Sequence, residues 1–246
     1  MIYRILLTGG PHSGKTSAVE ALRAHLEAMR VPTVVVPESA TQIITSLGSY
    51  ANVLCQGNVE VFQTNVLNAQ KTNELVLEQL VQALHRSTTM TRPTLAPVVM
   101  IFDRGVLDGS VFCDSSAQWD AIVKATDTKI GEDIIADGRQ STLRLEGLPS
   151  YDLVVHMQSC ASRGVQGAYS QYSAQTSTQR LHDRDGAART DKALYDLYCG
   201  HDNFVFVPFQ AEFSRKTEIL VEHVHHLLHP LTSSLTCSVC RNVSAL

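Results

Sequence analysis

The sequence lacks both a strong charge of either sign and any long hydrophobic run. Its 246 residues include 20 lysines and arginines against 24 aspartates and glutamates, which gives a net charge of −4. This near-neutral balance disfavours nucleic-acid binding over the whole surface, so a polyanion would have to be recognised at a local site. No apolar run approaches the roughly 18 residues that a membrane-spanning helix needs. We therefore expect no nucleic-acid partner and no membrane span.

The sequence has six cysteines, which do not make a disulfide scaffold in a chain of 246 residues. Cys237 and Cys240 form a C-x-x-C pair, but no second pair of ligands lies nearby, so the pattern does not favour a zinc or redox site. The apolar start, Met1–Leu7, runs into a glycine-rich segment and indicates a buried strand instead of a signal peptide. We predict a cytoplasmic, reducing location.

Short apolar runs alternate with longer amphipathic segments along the chain. The apolar runs predict buried parallel strands over residues 3–8, 33–36, 98–103, 153–155 and 204–207. Apolar residues at three- and four-residue spacing predict helices over residues 14–29, 59–86 and 215–229. Residues 87–97, rich in Ser, Thr and Pro, predict a loop, and residues 106–147 predict helices and loops that cover the sheet.

Strands separated by helices, with no hairpin signal, predict right-handed crossovers. The fold class is therefore α/β, with a five-stranded parallel sheet and helices on both faces. We assign residues 1–229 to one domain and residues 230–246 to a flexible tail. Ligands of such sheets bind at the carboxyl ends of the strands, where Gly9–Thr16, Pro37–Glu38 and Asp103–Arg104 are expected to meet.

Residues Gly9–Thr16 read G-G-P-H-S-G-K-T and match the phosphate-loop pattern G-x-x-x-x-G-K-[ST]. Glycines let the backbone curl around a phosphate, and the following helix N-terminus favours the negative charge. Lys15 is predicted to reach the β- and γ-phosphates, and the Thr16 hydroxyl to bind Mg²⁺. With a strand before it and a helix after it, the motif predicts a P-loop NTPase that binds ATP or GTP. The predicted phosphate-binding residues are Gly9, Gly10, Pro11, His12, Ser13, Gly14, Lys15, Thr16 and Ser17.

Asp103 is the last residue of the third predicted strand, and Arg104 follows it directly. A carboxylate at this place is typical of the group that orients Mg²⁺. A ring-forming ATPase usually carries a glutamate next to it, whereas the arginine found here suits phosphate or substrate binding. The sequence has no N-K-x-D element, which disfavours an ordinary signalling GTPase but leaves GTP open as a ligand.

Further candidates lie outside the phosphate loop. Arg180 and Arg184 fall in a polar segment at about 170–200, which predicts a lid that brings guanidinium groups to the phosphates. The alternative is a solvated helix face with local ion pairs. Glu38 follows the second strand and is a candidate general base or substrate-binding carboxylate. Gln63 is a candidate hydrogen-bonding group on the helix beside the same crevice.

Several of these motifs, taken in order, resemble those of the AAA-domain-like ATPase/kinase family of P-loop proteins. That family includes kinase-like domains of NAD metabolism and the nucleotide-binding domain of the TRPL translocation defect protein. The resemblance is carried by Leu7–Thr16, Pro37-Glu38-Ser39-Ala40, Phe62-Gln63, Phe102-Asp103-Arg104-Gly105, Tyr151–Val154, and then Arg180, Ala187, Asp191 and Gly200-His201-Asp202. It implies a relation to nucleoside and nucleotide kinases, in which the second-strand carboxylate and an Asp-Arg pair face the phosphoryl acceptor.

Two functions follow from this reading. The first is a kinase that transfers the γ-phosphoryl group of ATP, with Mg²⁺, to a small acceptor similar to a nucleoside or nucleotide. Lys15, Arg180 and Arg184 would stabilise the transferred group, and Glu38, Gln63 and Arg104 would hold the acceptor. The second is a regulatory switch that binds GTP or ATP and presents a surface to a protein or phosphoinositide partner.

Overall fold

The apolar runs of the sequence form the strands of a central sheet in a computed structural model of the chain. The structure describes residues 1–51, 57–91, 97–134, 140–146, 148–163 and 184–232. The strands are β1 (Ile2–Thr8), β2 (Thr33–Val36), β3 (Val98–Asp103), β4 (Ile130–Ile134), β5 (Gln140–Leu145), β6 (Leu153–Met157) and β7 (Phe204–Val207). Five of them form one parallel sheet in the order β2-β3-β1-β6-β7. This confirms the predicted α/β class and five-stranded parallel sheet.

The helices connect the parallel strands, as right-handed crossovers require. They are α1 (Lys15–Ala28), α2 (Ser39–Leu47), α3 (Val59–Thr91), α4 (Ser116–Ala125), α5 (Arg184–Tyr198) and α6 (Phe213–Thr232). Short 3₁₀ helices lie at Gly48–Tyr50, Asp108–Phe112 and Cys160–Arg163. Among the described residues, no helix is both long and apolar enough to cross a bilayer.

Two hydrophobic clusters lie on opposite faces of the sheet because successive side chains of each strand point to alternate sides. Helices α1 and α6 pack on one face through residues such as Leu22 and Leu220. Helices α3, α4 and α5 pack on the other face through Leu67, Ile122 and Tyr198. The loop after β1 therefore leads to one face, while the loops after its neighbours β3 and β6 lead to the other. Such a divergence opens a crevice at the carboxyl end of β1, where ligands bind in open α/β sheets.

The structure departs from the sequence prediction at three places. Helix α3 continues to Thr91, whereas residues 87–97 were expected to be a loop. Strands β4 and β5 pair as an antiparallel hairpin that the sequence analysis did not predict. Helix α6 runs to Thr232, past the predicted end at residue 229. The remainder of the predicted tail, with Cys237 and Cys240, lies outside the described residues.

Candidate functional site

The loop between β1 and α1 takes a conformation that its glycines permit. Gly9 and Gly14 have positive φ angles of 138° and 83°. A Cβ atom on Gly9 would lie 2.2 Å from the carbonyl oxygen of Met157, so only glycine fits there. Because α1 begins at Lys15, the unpaired N–H groups of its first turn lie at this loop. The loop therefore has the backbone form that the phosphate-binding motif predicts.

The ammonium group of Lys15 is buried inside the loop. Its Nζ donates to the carbonyl oxygens of Gly9 at 2.7 Å and Gly10 at 3.1 Å, and to Oγ of Ser13 at 3.1 Å. Burial, and then the positive charge of Arg104, lower the pKa of Lys15 to about 8. Burial thus makes the protonated form less favourable than in a free lysine, and a bound anion would favour it.

Thr16 and Asp103 meet at the edge of the loop. Oγ1 of Thr16 donates to Oδ2 of Asp103 at 3.3 Å, while Oδ1 of Asp103 is buried with no hydrogen-bond partner among the described residues. Burial, and then the negative charge of Glu38, raise the pKa of Asp103 to about 6. A carboxylate oxygen without a donor, next to a hydroxyl oxygen, suits a hard divalent cation such as Mg²⁺.

Glu38, Arg104 and Asp108 form an ion-pair chain beside the loop. Nε of Arg104 donates to Oε1 of Glu38 at 2.5 Å, and its Nη1 donates to Oδ2 of Asp108 at 3.3 Å. Burial would raise the pKa of Glu38, but the charges of Arg104 and Lys15 outweigh it and lower the pKa to about 2. Asp108 also accepts hydrogen bonds from Thr8 at 3.0 Å and Tyr198 at 2.7 Å, which fix its position. The guanidinium of Arg104 is therefore held between two carboxylates, those of Glu38 and Asp108.

Arg104 has a strained backbone that a glutamine of α3 supports. Its φ angle is 75°, a conformation that non-glycine residues seldom adopt. Nε2 of Gln70 donates to the Arg104 carbonyl at 3.1 Å, and the amide oxygen of Gln70 accepts from Oγ of Ser39 at 2.9 Å. The bonds of Gln70 and Asp108 therefore fix Arg104 in place. Sequence analysis missed both residues, although the position of Asp108, four residues after Arg104, is a local signal for the ion pair.

A cavity of about 460 Å³ joins the phosphate loop to this ion-pair chain. Its lining begins at residues 11–17 of the loop and includes Glu38, Gln63 and Arg104. Beyond them the cavity is lined mainly by apolar and aromatic side chains, Ile44, Phe62, Val66, Leu67, Val106, Phe112 and Trp119. The structure thus brings the predicted Glu38, Gln63 and Arg104 into one cavity with the phosphate loop.

Asp191 of helix α5 joins the phosphate loop to the end of β6. Its Oδ1 accepts from the backbone N–H of Gly10 at 2.7 Å and lies 3.2 Å from Nε2 of His156. Its Oδ2 accepts from the N–H of Ser159 at 3.1 Å and from Oγ of Ser162 at 2.6 Å. Burial would raise the pKa of Asp191, but the hydrogen bonds from His156 and Ser162 outweigh it and lower the pKa.

The predicted lid falls only partly within the described residues. Arg180 lies outside them, as do residues 170–179. Arg184 is the first residue of α5, and its side chain is outside the described part. The roles of Arg180 and Arg184 therefore stay predictions.

Comparisons with known proteins agree with this geometry. A protein family described as an AAA domain matches residues 4–214 of the chain. Among solved structures, a deoxyadenosine kinase from M. mycoides with dCMP and a flexible dCDP bound superposes with a TM-score of 0.54 at 15% sequence identity. The superposition covers 91% of this chain and 99% of the kinase chain. No curated protein matches the sequence. With a phosphate loop between β1 and α1 and a fold shared with a nucleoside kinase, the chain belongs to the AAA domain family of P-loop nucleotide-binding proteins.

Proposed function

We propose that the protein is a kinase that transfers the γ-phosphoryl group of ATP to a hydroxyl group of a small acceptor. The observation that carries the proposal is the cavity that runs from the phosphate loop to the Glu38–Arg104 pair and on to an aromatic wall. A phosphate bound by the loop and an acceptor bound in the cavity would lie side by side. Phosphoryl transfer depends mostly on such positioning and on electrostatic stabilisation.

The phosphate-loop side of the site would hold the nucleotide. Lys15 is the buried cation that would contact the phosphates, together with the backbone N–H groups of the loop. Thr16 and Asp103 would hold Mg²⁺, which neutralises charge that develops on the phosphates when it is bound. Arg180 and Arg184 would add guanidinium groups from the lid.

The acceptor side would bind and orient a hydroxyl group. Glu38 is ionised at neutral pH, because its pKa is lowered to about 2, and it can accept a hydrogen bond from that hydroxyl. In the reaction, the hydroxyl oxygen bonds to the γ-phosphorus, the bond from this phosphorus to the β–γ bridging oxygen breaks, and the hydroxyl proton leaves toward Glu38. Arg104 would hold the carboxylate and the incoming oxygen in place, and Gln63 would bind polar atoms of the acceptor.

The charges of the cavity favour an uncharged acceptor such as a nucleoside over a nucleotide. Residues 37–51 and 57–70, which contribute to the lining of the acceptor side, contain no lysine, arginine or histidine. On this side Arg104 is the cation among the described lining residues, and it already bonds to the carboxylates of Glu38 and Asp108. A monophosphate brings about two negative charges at neutral pH, which this side of the cavity would repel.

The test is ADP formation from ATP and Mg²⁺ with a panel of nucleosides and their 5′-monophosphates. We expect one or more nucleosides to raise turnover well above the background, and their monophosphates to do so far less. Glu38→Gln should lower kcat for the nucleoside while ATP binding persists, whereas Glu60→Gln, an exposed change on α3, should leave both unchanged.

Two results would contradict the proposal in different ways. If no acceptor raises turnover above that of a Lys15→Ala variant, although the wild-type protein binds ATP, the protein is not a kinase of this class. The alternative hypothesis, a regulatory switch with a protein or phosphoinositide partner, would then be favoured. If monophosphates are phosphorylated faster than nucleosides, the charge argument for the acceptor is wrong, but the kinase activity stands.

A further inference from the structure

Lys216 lies behind the phosphate loop, at a position that no sequence motif marks. The side chain belongs to the first turn of α6, and the residue is only 3% exposed. Its Nζ donates to the carbonyl oxygen of Ser13 at 2.6 Å and to that of Gln158 at 2.6 Å. Ser13 is part of the phosphate loop, and Gln158 directly follows β6. The ammonium group therefore ties the rear of the loop to the end of a sheet strand.

The first turn of α6 lies directly against the loop. Phe213, three residues before Lys216, packs so closely on Gly14 that a Cβ there would lie 2.7 Å from its ring. Residues three apart on a helix share a face, so Phe213 and Lys216 approach the loop together. Because both contacts are close and Lys216 is buried, water does not separate its charge from the loop.

The charge of Lys216 has no direct partner in the described part of the chain. No carboxylate oxygen there lies within 4.0 Å of its Nζ, and both of its acceptors are neutral carbonyl groups. Burial, and then the positive charge of the nearby Lys15, lower its pKa to about 8, against the opposing negative charge of Asp191. An unpaired buried ammonium is unfavourable, and an anion placed in the loop would stabilise it.

We propose that Lys216 acts as a second lysine of the phosphate loop. It is a positioning residue that holds the Ser13 carbonyl, and its charge strengthens the binding of polyphosphates from behind the loop. The inference rests on nucleotide binding by the loop, which is part of the proposed function, but not on the acceptor or on phosphoryl transfer. A binding experiment therefore tests it separately from kinase activity.

The experiment is a calorimetric titration of AMP, ADP and ATP, with Mg²⁺ at pH 7, into the wild type and two variants. Lys216→Met removes the buried charge and keeps most of the side-chain volume. Arg215→Met removes a charge from the same helical turn, but Arg215 is 56% exposed and pairs with Glu218. We expect Lys216→Met to weaken ATP binding about tenfold, and Arg215→Met to change it less than about twofold. The loss should grow from AMP to ADP to ATP.

Equal ATP affinities of the two variants would overturn the inference. So would a loss for Lys216→Met that is the same for AMP and ATP, because that would show a change of loop shape without an electrostatic contribution. If even the wild type binds no ATP, both this inference and the proposed function fail.

A third variant, Lys216→Arg, keeps the inference testable if Lys216→Met does not fold. Arginine stays protonated at all accessible pH values, whereas Lys216 loses its proton above about pH 8. Lys15 titrates in both proteins, so its contribution cancels. We expect the wild type to lose more ATP affinity than Lys216→Arg between pH 7 and about pH 9.5. An equal loss in both proteins would mean that the charge of Lys216 does not contribute to binding.

Discussion

The carboxylate of Asp191 fastens helix α5 to the phosphate loop, and asparagine in its place would lower the stability of the fold. One carboxylate oxygen of Asp191 accepts a hydrogen bond from the N–H of Gly10 and contacts the ring of His156. The other oxygen accepts hydrogen bonds from the N–H of Ser159 and the hydroxyl of Ser162. The NH₂ group of asparagine must face one of these two pairs. The Ser162 hydroxyl and the His156 ring can change from donor to acceptor, but a backbone N–H only donates. Either orientation therefore leaves one buried N–H without an acceptor.

The expected loss of stability follows from these contacts. A buried donor without an acceptor costs about 1 to 3 kcal/mol, and the loss of a charged acceptor adds to this. We expect Asp191→Asn to lower the free energy of unfolding by about 3 kcal/mol. For a domain of this size, the melting temperature should then fall by about 6 to 12 °C. Thermal unfolding followed by circular dichroism, at pH 7 without nucleotide, measures the change.

A control on the same helix separates this effect from a general loss of acidic charge. Asp196 pairs with Lys192, and both side chains are more than half exposed, so Asp196→Asn should change the melting temperature by less than about 2 °C. If Asp191→Asn melts at the same temperature as Asp196→Asn, the reasoning about the buried donors is refuted.

The same contacts give the effect of Asp191 a defined dependence on pH. Because its pKa is lowered in the folded protein, its contribution to stability is complete above the ordinary aspartate value of about 3.9. That contribution disappears as the pH falls below this value, because the carboxyl becomes protonated. The stability difference between wild type and Asp191→Asn should therefore shrink in acid.

Three further outcomes are expected. Gly14→Ala should destabilise the protein by about 1 to 3 kcal/mol in thermal unfolding, because the φ angle of Gly14 is positive and the ring of Phe213 occupies the space that the new Cβ would need. Gly57→Ala is the control and should not destabilise the protein, because nothing in the described part of the chain lies within 4 Å of its new Cβ. Gln70→Leu should lower kcat about tenfold, with ATP affinity retained in calorimetry, because it frees the backbone of Arg104. Between about pH 8 and 10.5, the unfolded state binds more protons at Lys216 than the folded state, so denaturant titrations should show wild-type stability rising relative to Lys216→Met. Wild-type stability of Gly14→Ala or wild-type kcat of Gln70→Leu would contradict the stated contact, and so would a stability difference between wild type and Lys216→Met that stays constant from about pH 8 to 10.5.

The sheet could be predicted because its strands are short apolar runs with clear ends. Strands β2, β3 and β7 have the bounds predicted from the sequence. The end of α3 could not be predicted, because Ser, Thr and Met after residue 86 are weak local signals, whereas extending an existing helix costs little. The β4–β5 hairpin was missed because Ile130–Ile134 contains Gly, Glu and Asp and shows no alternation that would indicate a strand.

Some residues of the candidate site belong to local sequence motifs and could be predicted, whereas others make contacts that form only when the chain folds. The sequence could place Gly9–Thr16, Glu38 and Asp103–Arg104 together in the candidate site, because each lies at or just after the end of a strand and these strands end at the same edge of the sheet. Gln70 and Lys216 could not, because each acts on a backbone carbonyl far away in the sequence. Every residue carries the same carbonyl group, so the sequence of the acceptor residue does not indicate such a contact.

Some charged groups of the candidate site are paired in the free protein, and others are buried without a partner of opposite charge among the residues that the structure describes. The second group indicates where the charges of a ligand would bind. Glu38 bonds to Arg104, and its pKa is lowered to about 2, so this pair is stable without a ligand. The pKa values of Lys15 and Lys216 are lowered to about 8 and that of Asp103 is raised to about 6, so burial disfavours the charged form of all three. A polyphosphate would stabilise the two ammonium groups, and a divalent cation would stabilise the carboxylate. Only a ligand that carries both charges, such as Mg²⁺ with ATP, relieves all three, so we expect ATP with Mg²⁺ to raise the melting temperature more than ATP with a chelator does.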